Sequence, residues 1–353
     1  NAAINYERAG MNERSIGAHQ WILKSKEKEA EPLKPKSRRI IAKLYQDAGM
    51  LEESAISFKD AAQELGKDPL APNMYFNAAI LFEAVGRNTE AIKNYEIYYN
   101  MNKKSDRAEA LYAIATLYRK QGGLSKASDY YSSYLDTGAG SHEKNVESAY
   151  QIYDISKKLN RQKMQKDWKS RTLNLQKTYS GGKKNGPGAA YAAKIKMEDV
   201  ELVFGELRSI KIPANPAAQQ AAAQKKIGIV AKLNTDLAEI IKFDSPDEII
   251  SALSILGQAN LHMGESLVGA PLPAGLTDEE AKQYKAEIAK LAEPFFIKAK
   301  DSLKAAVDRA SELDTYNGAY QRARDLSIKL DPKSFYDGGE IVFESKLISW
   351  GNE

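Results

Sequence analysis

A chain of 353 residues with no cysteine and only three histidines has few routes to covalent or metal chemistry. No thiolate can serve as nucleophile or ligand, and His19, His142 and His262 lie too far apart to share a metal-binding spacing. The glycine-rich phosphate loops, the nucleophile elbow and the zinc-binding HExxH pattern are absent. Gly181-Gly182-Lys183-Lys184 comes nearest to a phosphate cradle. No strand pattern precedes it and no Ser or Thr follows the lysines, so it reads as a flexible linker. Glu52-Glu53 and Glu279-Glu280 are paired carboxylates at helix starts, where negative charge complements the helix dipole. His262, between Leu261 and Met263 on a helical pattern, reads as structural. The chain is therefore expected to be non-enzymatic, without cofactor or metal. An enzyme with its site between the two halves is the weakest reading carried forward.

Charge offers more than catalysis does. Lys157, Lys158, Arg161, Lys163, Lys166, Lys169, Arg171, Lys177, Lys183 and Lys184 follow one another with Asp167 as the only acid among them. Such a run creates a local positive field that attracts anionic surfaces, either lipid headgroups or acidic protein. A plainly solvated helix face explains it equally well. Nucleic acid is disfavoured, because only Trp168 and Tyr179 interleave the cations to stack on bases.

The elements that must position these residues are written as a repeat. With Gly86 set over Gly122, Tyr75, Ala78, Ala79, Leu81, Phe82, Ala91, Tyr95 and Tyr98 fall over Leu111, Ile114, Ala115, Leu117, Tyr118, Ala127, Tyr131 and Tyr134. This order of large, small, aromatic, Gly, Ala and aromatic residues over about 34 positions resembles the tetratricopeptide repeat (TPR). The resemblance implies helix A running to the glycine turn and helix B returning antiparallel, with small residues where the two cross and aromatics filling the volume between. The expected fold is all-α, a right-handed α-solenoid. Residues 34–66 carry a further copy around Gly49, residues 1–31 a truncated one around Gly10, and residues 143–178 a degraded one in which Asn160 replaces the glycine. Asn tolerates the left-handed conformation next best after Gly. The degraded unit reads as a capping or transition repeat. Glu31 to Pro35 and Asp68 to Pro72 mark inter-repeat loops.

In this repeat, positions two, five, nine and twelve of helix A line the concave face. Counting back from each turn gives Lys36, Arg39, Lys43 and Gln46, then Asn73, Phe76, Ile80 and Glu83. The next two sets are Glu109, Tyr112, Thr116 and Arg119, and Glu147, Tyr150, Asp154 and Lys157. The fifth-position row therefore reads Arg39, Phe76, Tyr112, Tyr150. Rigid aromatic rings beside charge suit a peptide groove, since they bury area at low entropic cost. The competing reading is that other helices of the chain cover them. Some TPR proteins grip a carboxylate with Lys, Asn, Asn, Lys and Arg, but here Phe76 and Ile80 stand where Asn would be required.

Four glycines and a proline within residues 180–188 break the helical pattern and separate a solenoid at 1–179 from a different grammar at 189–353. There the spacing predicts helices over 189–212, 217–243, 246–268, 278–313 with a kink at Pro294, and 315–330. Ser245 and Thr277 are the expected N-caps, Thr277 with Glu280 as a capping box. Ile341, Phe343, Leu347, Ile348 and Trp350 suggest that the tail docks as an extended segment or short strand.

The run from Gly264 to Glu280, with Ala292-Glu293-Pro294, Tyr316-Asn317 and Leu330-Asp331-Pro332, resembles a module of large TPR proteins from predatory and gliding deltaproteobacteria. The resemblance covers about residues 245–335. It implies a periplasmic or outer-membrane-associated scaffold, in some members tied to adventurous gliding motility, and carries over no catalytic residue. A cytosolic adaptor or assembly factor is the alternative. The chain begins on Asn1 inside a helical pattern, so a signal peptide or lipid anchor is expected upstream if the envelope reading holds. No stretch approaches 18 apolar residues, so no membrane span is expected in this sequence.

Overall fold

Each turn between paired helices in the first half needs one left-handed residue, and the repeat supplies it on schedule. The computed structural model describes residues 2–102 and 107–332. The chain divides into two compact units, 1–179 and 180–353. Unit 1 holds five helix pairs: α1 (Ala2–Arg8) with α2 (Asn12–Lys24), α3 (Lys34–Asp47) with α4 (Leu51–Leu65), α5 (Ala71–Ala84) with α6 (Asn88–Met101), α7 (Ala108–Lys120) with α8 (Leu124–Thr137), and α9 (His142–Lys158) with α10 (Gln162–Tyr179). At the turns, Gly10, Gly49, Gly86 and Gly122 have φ of 70°, 75°, 77° and 78°, and Asn160 has 52°. In each, the amide of the left-handed residue donates to the carbonyl three residues back, and the next amide reaches five residues back. That pair of bonds is the Schellman closure, which satisfies helix-end carbonyls.

The small and aromatic positions pack as the repeat requires. Ala79, Ala91, Ala115 and Ala127 are fully buried at the crossings, and Phe82, Tyr95 and Tyr131 fill the space between pairs. Burying an aromatic or aliphatic side chain of this size stabilises by about 1.5–3 kcal/mol. In the first two pairs Ser15 and Ser54 replace the crossing alanine. Each hydroxyl donates to a carbonyl on the facing helix, Ser15 to Ala3 at 3.1 Å and Ser54 to Ala42 at 2.7 Å, so neither is left unsatisfied. The stretch expected as a loop at 31–35 is instead a 3₁₀ turn, Lys28–Leu33, that runs directly into α3. Pro32 sits within it and Pro35 in the first turn of α3, where a missing amide is harmless.

Unit 2 holds α11 (Ala189–Ser209), α12 (Pro216–Ile241), α13 (Pro246–Val268), α14 (Asp278–Glu312) and α15 (Gly318–Leu330). α13 is its core and touches the other four. Its buried residues, including Ile249, Ile250, Ile255, Ala259, Met263 and Leu267, occupy most of its circumference. Gly257 and Gly264, two turns apart, let α14 approach. A Cβ on Gly257 would stand 2.5 Å from Leu303 Cγ, and one on Gly264 would stand 3.0 Å from the Phe296 ring. α14 begins with the capping box expected of Thr277 and Glu280 and continues as one helix through Pro294. Ser245 holds the N-cap position of α13 but makes no cap bond; its hydroxyl donates to the Glu248 carboxylate instead. α11 ends three residues before its spacing suggests, ahead of Pro213; α12 begins one residue earlier and ends two earlier, before Asp244; and α15 begins three residues later, after Asn317. Among the described residues there is no strand, no helix is long and apolar enough to cross a membrane, and no cluster of His, Asp or Glu could hold a metal ion. The tail, residues 333–353, lies outside the described residues.

Candidate interaction groove

Helix A of each pair presents its positions two, five, nine and twelve on a common face, and the structure gathers the second pair's set into a concavity. Lys36, Arg39, Lys43 and Gln46 of α3 line an open hollow of about 670 Å³ together with Glu7 of α1, Asn77 of α5 and Phe58 of α4. The three cations are exposed. Asn73 is exposed as well, Phe76 is half-buried, and Ile80 stands 45 % exposed on α5. Cationic and apolar surface thus follow one another along the face.

The aromatic row is built by repetition. Phe76 packs its ring against Tyr95, centroids 5.5 Å apart, and against Tyr98 at 4.8 Å. Thirty-six residues later Tyr112 packs in the same way against Tyr131 at 6.0 Å and Tyr134 at 5.4 Å. Both rings are half-buried, packed against core tyrosines and partly open to solvent. Tyr112 is also held by the following pair. Its hydroxyl donates to Glu147 at 2.6 Å, and Lys144, ion-paired with Glu109 at 2.7 Å, lies 4.9 Å from its ring centroid. Tyr150 lies 6.1 Å from Tyr153. The core phenols beneath the row titrate high. Burial, reinforced by Glu83, raises Tyr95, and burial with Glu109 and Glu147 pushes Tyr134 up to about 12. They therefore remain neutral at physiological pH.

Past Tyr112 the face becomes mixed. The Thr116 hydroxyl donates to the Tyr112 carbonyl and lies 3.2 Å from the Tyr131 hydroxyl. Arg119 is half-buried, with its Nε enclosed and not hydrogen-bonded. Asp154 pairs with Lys158 at 2.7 Å, and Lys157 lies over the Tyr153 ring. Glu83 accepts from the Tyr95 hydroxyl at 3.3 Å.

The basic run is divided between the two units. Lys163, Lys166 and Lys177 are exposed on α10 and share one arc of it, with half-buried Lys169 at the arc's edge. Arg171 stacks on Trp168, and Arg161 donates to Ser125. Lys183 and Lys184 belong to unit 2, where Lys184 lies 3.6 Å from Glu239 and 5.6 Å from the Phe243 ring centroid.

Sequence reasoning missed three features. Glu7 was legible, since counting back from Gly10 places it at position twelve of the truncated repeat. Asn77, at position six, falls outside the counted rows. In unit 2, Lys226 is 1 % exposed, with Nζ 2.9 Å from the Leu207 carbonyl and 2.9 Å from His262 Nε2. Burial lowers the pKa of both groups, and the neighbouring Lys226 charge lowers His262 further.

No family model matches the sequence, and no curated protein sequence matches it. Solved structures with a similar helical arrangement include a tetratricopeptide repeat protein from Parabacteroides merdae, 14 % identical, covering 93 % of this chain and 95 % of that one with a TM-score of 0.37. Another is a TPR repeats protein from Bacteroides fragilis, 17 % identical over 73 % of this chain and 98 % of that one, TM-score 0.36. MamA protein is 17 % identical over 51 % and 91 %, TM-score 0.37. The repeat assignment rests on the five helix pairs and their turns.

Proposed function

We propose that unit 1 is a non-catalytic scaffold that binds a segment of a partner protein along its concave face. Acidic residues of the segment meet Lys36, Arg39 and Lys43, and apolar ones meet Ile80 and the outer edge of Phe76. The observation that carries this reading is that three exposed cations line one hollow with Glu7 and Asp47, while the groove positions of the next pair carry an exposed isoleucine and a half-buried ring. Selection of peptides from a displayed random library against the full chain tests it. Selected peptides should combine acidic and apolar residues, and Arg39→Glu with Phe76→Ala should weaken them at least about tenfold, the effect of one hot-spot side chain. Peptides that bind the double variant as tightly as the wild type refute the assignment. The envelope setting, with a part in surface motility, rests on the resemblance of residues 245–335 alone. It requires the native protein to fractionate with the envelope, and a wholly cytosolic pool would favour an adaptor in that compartment.

A further inference from the structure

Within unit 2, α12 and α14 both pack on α13, and an apolar cavity of about 420 Å³ lies between them. Two stripes wall it. Gln219, Ala223 and Ile227 follow one another every fourth residue on α12, and Tyr284, Ile288, Leu291 and Phe295 recur three or four residues apart on α14. The second stripe spans eleven residues, about 16 Å of helix, so the cavity is a slot. Ala223 and, just beyond α13, Ala270 are too small to fill it. A buried brace crosses its end: Gln219 donates to the Pro271 carbonyl at 2.9 Å and accepts from the Tyr284 hydroxyl at 2.7 Å. Both ends of that amide are therefore engaged. Ile227 and Leu291, 45 % and 61 % exposed, form an apolar mouth.

A second hollow of about 310 Å³ shares Leu267, Ala270, Tyr284 and Ile288 with the slot and continues it to Lys285. Lys285 is exposed, and among the described residues lining the two hollows it alone is charged. The slot is thus apolar along its length and cationic at one end. We propose that it binds a free fatty acid, with the acyl chain along Ile288, Leu291 and Phe295 and the carboxylate at Lys285. The volume falls within the range of about 300–1,000 Å³ typical of small-molecule sites. A peptide would bring amides that these walls cannot pair, and burying them unpaired is costly. An acyl chain has no such groups and gains with every methylene that leaves water. Its one charged group is opposite in sign to the one charged wall residue.

Titration of the full chain with dansylundecanoic acid, followed through the probe's emission, tests this. Uptake should saturate at one site per chain, and laurate should displace the probe. Ile227→Glu and Leu291→Glu change exposed positions, so the thermal transition should hold. Each should weaken uptake at least about tenfold, because it sets a charge against the acyl chain. Lys285→Glu should weaken laurate at least about threefold, the worth of one exposed ion pair, and leave dodecanol unchanged. Uptake that does not saturate, or that matches the wild type in both mouth variants, overturns the proposal. So does an equal loss of laurate and dodecanol in Lys285→Glu. Displacement by lysophosphatidylglycerol and not by laurate would assign the slot to a phospholipid tail and overturn the free acid. A dimer that dissociates in Leu291→Glu, with no probe bound by the wild type, would give the slot to a second copy of the chain and also overturn it.

Discussion

Gly257 is the position at which the packing of unit 2 is most exposed to a single methyl group. An alanine there places its Cβ 2.5 Å from Leu303 Cγ, 2.7 Å from Leu303 Cδ2 and 3.2 Å from the Ala299 carbonyl oxygen. Ordinary carbon contacts lie at about 3.5–4.0 Å, so roughly 1 Å must be found. Leu303 cannot yield outward, since it is fully buried in a cluster with Ala306 and Ala323. Overpacking of this kind costs about 1–3 kcal/mol, while Ala gains about 1 kcal/mol over Gly in a helix interior. With the clash partly against backbone, the upper part of the range applies and Gly257→Ala should destabilise by about 1–2 kcal/mol net. At about 2–4 °C per kcal/mol for a unit of this size, the transition should fall by roughly 2–8 °C. Calorimetry of the full chain reads it, with only the transition of unit 2 moving. Two controls sharpen the result. Gly228→Ala on α12 meets nothing within 4 Å and should stabilise by about 0.5–1 kcal/mol. Leu303→Ala alone should cost about 2–5 kcal/mol, and the double variant should recover at least about 1 kcal/mol of the summed losses, because the new methyl enters the space that Leu303 vacates. A Gly257→Ala chain that melts at or above the wild type, or single effects that simply add, would refute the close α13–α14 contact.

Acid should weaken the chain in a defined window. Burial first, and then Lys226, holds His262 below its ordinary value, and burial does the same to His19 in unit 1. The unfolded chain therefore takes up these protons first, so stability is fully present above about pH 6.5 and is lost as pH falls towards the lower folded values. Denaturant midpoints at pH 7.5 and 5.5 should separate less in His262→Gln than in the wild type. At the repeat turns, Gly86→Ala should destabilise by about 1–2 kcal/mol, because the left-handed conformation is imposed on an ordinary L side chain, whereas Asn160→Gly should change stability by less than about 1 kcal/mol, because Asn already tolerates it; urea unfolding measures both. Lys163→Glu, Lys166→Glu and Lys169→Glu together should abolish salt-sensitive sedimentation with anionic phosphatidylglycerol vesicles, since screening limits surface charge to about 8 Å at physiological ionic strength. Vesicle binding that is identical in the triple variant at low and high salt removes that role from α10.

The repeats were legible because their signals are local. A Schellman turn needs a left-handed residue, for which Gly and then Asn are the favoured types, so positions 10, 49, 86, 122 and 160 announce themselves, whereas Asp314 at the end of α14 does not. The crossing positions need small side chains, so Ala79, Ala91, Ala115 and Ala127 recur at fixed offsets, and Ser15 and Ser54 still qualify because each can reach a carbonyl one helix away. The limits of α13 and α14 were legible for the same reason, through Pro246, Thr277 and Glu280. Where two chemistries compete for one atom, local reading failed: Ser245 has the capping position but gives its hydroxyl to Glu248.

What was hidden depends on pairs far apart in sequence. A glycine inside a helix gives no sign of purpose, and Gly257 acquires one only when Leu303 arrives against it from α14. Lys226 continues the buried stripe Val230, Leu233, Leu237 and Ile240 of α12, a place where the helical period asks for an apolar residue. Its acceptors are a carbonyl of α11 and an imidazole of α13, and neither can be found from α12 alone. The groove shows the same division within one side chain. The inner edge of Tyr112 follows from Tyr131 and Tyr134 of its own repeat, so the ring's burial could be read from spacing. The hydroxyl is set by Glu147 of the next repeat, at a groove position whose residue type the repeat leaves open. The packing rule therefore constrains the inner half of each concave residue, and the outer half is free to vary with whatever lies against it. For this reason one spacing determines the scaffold, while the surface chemistry of Lys36, Arg39, Lys43 and Ile80 bears only on the partner proposed for it.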